Sequence, residues 1–123
     1  MLIAAFIVLG VALLLGAVLA LSYLREGSGA APSRALAALH GAMALGGLGC
    51  LVLAIQGATR GTATGSADFG AIAAVMIALA AAIGGTMLAI HLLRRRVWGV
   101  LVAIHASLAI GGFVILAVYL IAG

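Results

Sequence analysis

Four apolar runs, at about 2–24, 35–57, 70–93 and 97–122, occupy nearly the whole of this 123-residue chain. Each is long enough to cross a hydrocarbon core of about 30 Å as a helix. With 7% of residues charged, the chain has too little polar surface to cover a soluble globule. The expected fold class is therefore an all-α membrane protein, a four-helix transmembrane bundle forming one domain over 1–123. The first run lacks a basic leader and is longer than the ~7–15 residues of a signal peptide's apolar core, so it reads as a retained helix. Cys50 is the one cysteine, which rules out an internal disulfide or a cysteine-rich metal site.

Charge placement orients the bundle. Arg25, Glu26 and Arg34 fall between the first two runs and Arg94, Arg95 and Arg96 between the last two, while Arg60 and Asp68 lie between the second and third. Five of the six arginines thus share one side, which the positive-inside rule assigns to the cytoplasm, with both termini outside. An arginine-rich, lysine-free chain heavy in Ala, Gly and Leu suits a bacterial inner membrane. Segments 26–33 and 59–68 are loops by their Gly, Ser, Thr and Pro content, with Ser33 and Asp68 as expected helix N-caps. The third connection is little more than three arginines, so the last two helices should form a tight antiparallel hairpin. Tyr23 and Trp98 are expected at the cytoplasmic interface and Tyr119 near the outer one. Leu13 is expected to face lipid.

The order of residues reads as the same hairpin written twice. From His40 the chain reads His, three residues, Ala, an aliphatic, Gly-Gly, and from His105 it reads the same way, 65 residues on. The preceding helices match at an offset of 69, with Gly16 to Arg25 against Gly85 to Arg94. Repeat one is then 1–57 and repeat two 70–123. Duplicating a hairpin keeps its orientation, so the copies should be parallel repeats related by an axis along the membrane normal. That axis sets His40 and His105 opposite each other. Counted from Arg34 and Arg96, they lie roughly 9 and 13 Å below the cytoplasmic interface at 1.5 Å per residue.

An intramembrane histidine is costly unless partnered and is by default a functional candidate. Two imidazoles facing each other in a bundle are satisfied most simply by one haem b, ligated axially by His40 and His105 as its metal ligands. Ala44 and Gly47 follow His40, and Ala109 and Gly112 follow His105, at helical spacing that leaves a smooth stripe for a flat macrocycle. Gly47 and Gly112 are therefore counted with the cofactor-binding residues. Arg34 and Arg94 are placed to meet the haem propionates. His91 is shallower, and is the alternative ligand or a propionate partner. The competing reading needs no cofactor: Gly-rich stripes also pack membrane helices closely, and a buried His can bond to Ser, Thr or a carbonyl on a neighbouring helix.

On these residues the chain resembles, in outline, the four-helix b-type cytochrome membrane subunits, including the cytochrome b561-like group and the haem-bearing anchors of respiratory dehydrogenases. It also resembles small bacterial four-helix membrane proteins of this composition. The resemblance implies haem binding and electron transfer. Diheme members use four histidines, and this chain has three, enough for one haem.

Other classes fit less well. Proton-coupled drug export needs a membrane-embedded carboxylate, whereas Glu26 and Asp68 are both in loops. A channel needs a polar stripe that the apolar runs do not offer. Hydrolase, kinase and zinc motifs are absent, and arginines explained by topology give no ground for nucleic-acid binding. With both axial positions filled, the iron has no open site, which favours an electron carrier or accessory subunit over an enzyme acting alone. The expected partners are membrane lipid, other membrane subunits or a second copy, and a quinone or cytochrome redox partner. The rival function is a non-catalytic interaction or structural subunit of a larger respiratory or photosynthetic complex.

Overall fold

A computed structural model describes residues 1–26, 33–56, 62–93 and 97–122. The apolar runs become α1 (Leu2–Glu26), α2 (Arg34–Ile55), α3 (Phe69–Leu92) and α4 (Gly99–Ala122). All four helices are long and apolar enough to cross a membrane. Their 22 to 25 residues correspond to about 33–38 Å at 1.5 Å per residue. Large aliphatic side chains such as Leu14, Leu21, Leu45, Val75 and Ile121 point outward, as expected where the solvent is lipid rather than water.

The helix ends follow from local chemistry in one case and depart from it in another. Ser33 caps α2, its hydroxyl accepting from the Leu36 N–H at 3.4 Å. Asp68 holds the corresponding position before α3 but makes no capping bond, contrary to expectation. Its backbone is already helical (φ −79°, ψ −12°), so the carboxylate is not aimed back at the first turn as an extended N-cap would aim it. A preceding turn does part of that work: the Phe69 N–H donates to the Ser66 carbonyl, Gly65 takes the positive φ of 71° that the bend requires, and Ser66 is buried with its hydroxyl 2.8 Å from that of Thr64.

Packing is densest within the hairpins α1–α2 and α3–α4, while α2–α3 and α1–α4 close the ring. The helices therefore go round in chain order, leaving α1 across from α3 and α2 across from α4. Phe6 on α1 stacks on Phe113 on α4, ring centroids 4.8 Å apart, to seal the last of these interfaces. The core comprises Ala5, Leu9, Leu51, Ala73, Ala74, Ile77, Leu116 and Tyr119. Tyr119 was expected as an exposed interfacial anchor, but it is 2% exposed and packs its ring against Gly70. The absence of a side chain on Gly70 gives the ring an interior place. Leu13 is half-buried rather than outward; its neighbour Leu14 takes the exposed position.

The core is confined to one end. Buried residues occupy α1 up to Ala12, α2 from Gly47, α3 up to Ala80 and α4 from Gly112, all belonging to the half that contains the α2–α3 loop. Among the described residues none is buried in the other half, where α1 and α3 finish and α2 and α4 begin. At that looser end the Tyr23 hydroxyl donates to the Val97 carbonyl at 3.2 Å, tying α1 to the start of α4, and Trp98 is exposed.

Candidate functional site

His40 is the seventh residue of α2 and His105 the seventh of α4. Both helices start at the looser end, so the two histidines lie at one level, about 9 Å in by the rise of 1.5 Å per residue. The unequal depths counted from the arginines are corrected here: Val97 and Trp98 precede α4 and add no helical rise. Although α2 and α4 are diagonal neighbours with no backbone contact, the rings meet across the centre. Their centroids are 6.0 Å apart and their planes inclined by 77°.

Each ring is held by a main-chain oxygen of its own hairpin. His40 Nδ1 lies 2.8 Å from the Ala12 carbonyl on α1, and His105 Nδ1 lies 2.8 Å from the Ala80 carbonyl on α3. A carbonyl only accepts, so Nδ1 donates in both, and the neutral imidazole keeps its lone pair on Nε2. The Ser and Thr hydroxyls of α1 and α3 are donated elsewhere: Ser22 bonds to the Val18 carbonyl and Thr86 to the Ala82 carbonyl, each one turn back.

The glycines beside the rings are Gly16 and Gly84. A Cβ on Gly16 would lie 2.9 Å from His40 Cε1, and one on Gly84 would lie 3.1 Å from His105 Cε1. Gly47 and Gly112 are two turns further along and serve helix packing. A Cβ on Gly47 would meet the Leu9 side chain at 2.7 Å, and one on Gly112 would meet Ile77 at 2.9 Å and the Ala73 carbonyl at 3.3 Å. These contacts fall in matched pairs. Residues of α1 correspond to residues of α3 at a spacing of 68 (Ala5 and Ala73, Leu9 and Ile77, Ala12 and Ala80, Gly16 and Gly84), and residues of α2 to α4 at 65 (His40 and His105, Gly47 and Gly112, Leu51 and Leu116). The spacing of 69 read from the arginines is thus one residue too long for α1 and α3.

Arg34, the first residue of α2, is exposed on the same end as the rings. Arg94 falls outside the described residues, as do Arg95, Arg96 and Arg60. His91 is half-buried near the end of α3, away from the ring pair by helix position. Among the described residues, no three His, Cys, Asp or Glu side chains come together to hold a metal ion. What the bundle assembles is a two-imidazole site.

That donor set can be tested against haem. Two imidazoles sharing one metal through nitrogen bonds of about 2.0–2.1 Å, with each ring adding about one ångström more, have centroids a little over 6 Å apart; the observed separation is 6.0 Å. Donation of the remaining ring N–H to a backbone carbonyl is the usual outer-shell support of a metal-bound histidine. Two protein ligands suffice for a metal that brings its own equatorial donors, as haem iron does. The residues fit the group. No family model matches this chain, and neither a curated protein nor a solved structure does.

Proposed function

We propose that this chain is a multi-pass inner-membrane protein, built from two parallel hairpin repeats, that binds one haem b between His40 and His105 and transfers electrons. The observation that carries the proposal is the ring pair itself: two imidazoles from diagonal helices, at one level, 6.0 Å apart, each with Nδ1 committed to a carbonyl. Among the described residues, the side chains of that half are less buried than those of the other, which is consistent with a group lying between the helices there. Bis-histidine haem supplies reversible one-electron chemistry. His40 and His105 would hold the haem, the Ala12 and Ala80 carbonyls orient the two rings, and Arg34, exposed at the same end, would pair with the group's carboxylates. By the positive-inside rule this end is cytoplasmic and the termini are outside. A quinone or a cytochrome subunit is the partner class that fits.

A second reading rests on the same hydrogen bonds. Each histidine ties α1 to α2 or α3 to α4 through a carbonyl, which is helix adhesion with no cofactor involved. On that reading the chain is an interaction subunit of a larger membrane complex.

An absorption spectrum decides between them. Protein purified from haem-replete cells should carry a Soret band and a low-spin b-type reduced spectrum; His40→Ala and His105→Ala should each abolish it, and His91→Ala should leave it. Folded but colourless protein that co-purifies with other membrane subunits would favour the second reading.

A further inference from the structure

An α-helix sets the side chain of residue i+4 beside the carbonyl oxygen of residue i, since the N–H of i+4 donates to that oxygen. A ring arriving from a facing helix to share the oxygen therefore runs into the Cβ at i+4. Gly16 stands four residues after Ala12 and Gly84 four after Ala80, and these are the two carbonyls that take the histidine protons. The clearance is tight in both places. An added Cβ would lie 2.9 Å from Cε1 and 3.4 Å from Nδ1 of His40, and 3.1 Å and 3.4 Å from the same atoms of His105. Gly41 and Gly85, by contrast, have nothing within 4 Å of an added Cβ. The requirement is thus specific to the i+4 positions and does not follow from the chain's general richness in glycine.

We propose that Gly16 and Gly84 are positioning residues that, by leaving the Ala12 and Ala80 carbonyls open, hold both imidazoles in the Nδ1–H form with Nε2 as the free donor atom. A methyl at either place displaces the ring from its oxygen and releases the proton to either nitrogen. The consequence for ligand binding rests on the haem reading above; the consequence for the tautomer does not.

The test uses the full chain with 15N-labelled histidine in detergent micelles, purified without haem, at a pH where the rings are neutral. Nitrogen chemical shifts should show His40 and His105 both protonated at Nδ1. Gly16→Ala should move His40 alone toward the Nε2–H form and Gly84→Ala should move His105 alone, while Gly41→Ala and Gly85→Ala change neither. Titration with haemin should then give affinities about 10–100-fold weaker for Gly16→Ala and Gly84→Ala than for the parent, the range seen when outer-shell partners of a metal ligand are lost. Nε2–H rings in the unsubstituted protein overturn the positioning role, whether or not haemin binds. Nδ1–H rings that respond as described in a protein indifferent to haemin uphold the positioning role and overturn the haem reading alone.

Discussion

A single methylene decides much at Gly47 and Gly112, because the helices on the other side approach within contact distance of bare Cα atoms. Replacing Gly47 by Ala forces a shift of Leu9, and replacing Gly112 a shift of Ile77 against the Ala73 carbonyl; overpacking of this kind costs ~1–3 kcal/mol. Both variants should therefore lower the denaturation midpoint in detergent to similar extents. Gly41→Ala, with open space around it, should be neutral or slightly stabilising, since glycine in a helix interior costs ~0.5–1 kcal/mol against alanine. Leu14→Phe is the matching outward control. The histidines were legible at this scale because they are scarce; Gly16 and Gly84 were not, because the chain has 18 glycines. Aligning Gly16 with Gly85 rather than Gly84 is a slip of one residue, which turns a helix by about 100°. That rotation separates a glycine touching an imidazole from one facing open space. The carbonyls of Ala12 and Ala80 could not be read at all, since a backbone acceptor leaves no mark in the residue order.

Element boundaries were close to legible, because a membrane span is announced by length and hydropathy and ends where charges begin. Which helices touch was less so. The α1–α4 contact depends on Phe6 and Phe113, and neither residue has an aromatic counterpart in the other repeat: the positions are Ala74 and Leu48. The ring of helices is thus closed differently on its two long sides. Stacked aromatic pairs contribute ~0.5–1.5 kcal/mol beyond the area they bury. A double-mutant cycle over Phe6→Leu and Phe113→Leu should return a coupling of that size in detergent unfolding, and a coupling near zero would mean that the stacked pair adds nothing to the α1–α4 interface beyond the area it buries. Tyr119 illustrates the limit of reading elements by residue type. An aromatic near a helix end fits an interfacial belt, yet opposite Gly70 the same ring fills the core.

At the scale of the whole molecule, the bundle has a packed half and a loose half, and the candidate site sits at the boundary between them. On the proposed haem reading, electron exchange would be easiest through the looser end, so the side of the membrane that end faces decides which partners can reach it. In the orientation proposed from the arginine count it faces the cytoplasm. Because Cys50 is the one cysteine, labelling can check this directly: in a Cys50→Ala background, Ala63→Cys marks the α2–α3 loop at the packed end and Ser28→Cys marks the α1–α2 loop at the other. A membrane-impermeant maleimide should modify Ala63→Cys on intact cells, and should modify Ser28→Cys only after the cells are opened; a reporter fused after Gly123 should behave as external. The reverse pattern would turn the bundle over. The rings would then lie in the outer leaflet's half, Arg34 would face the exterior, and a redox partner would have to be sought among periplasmic carriers instead of at the cytoplasmic surface.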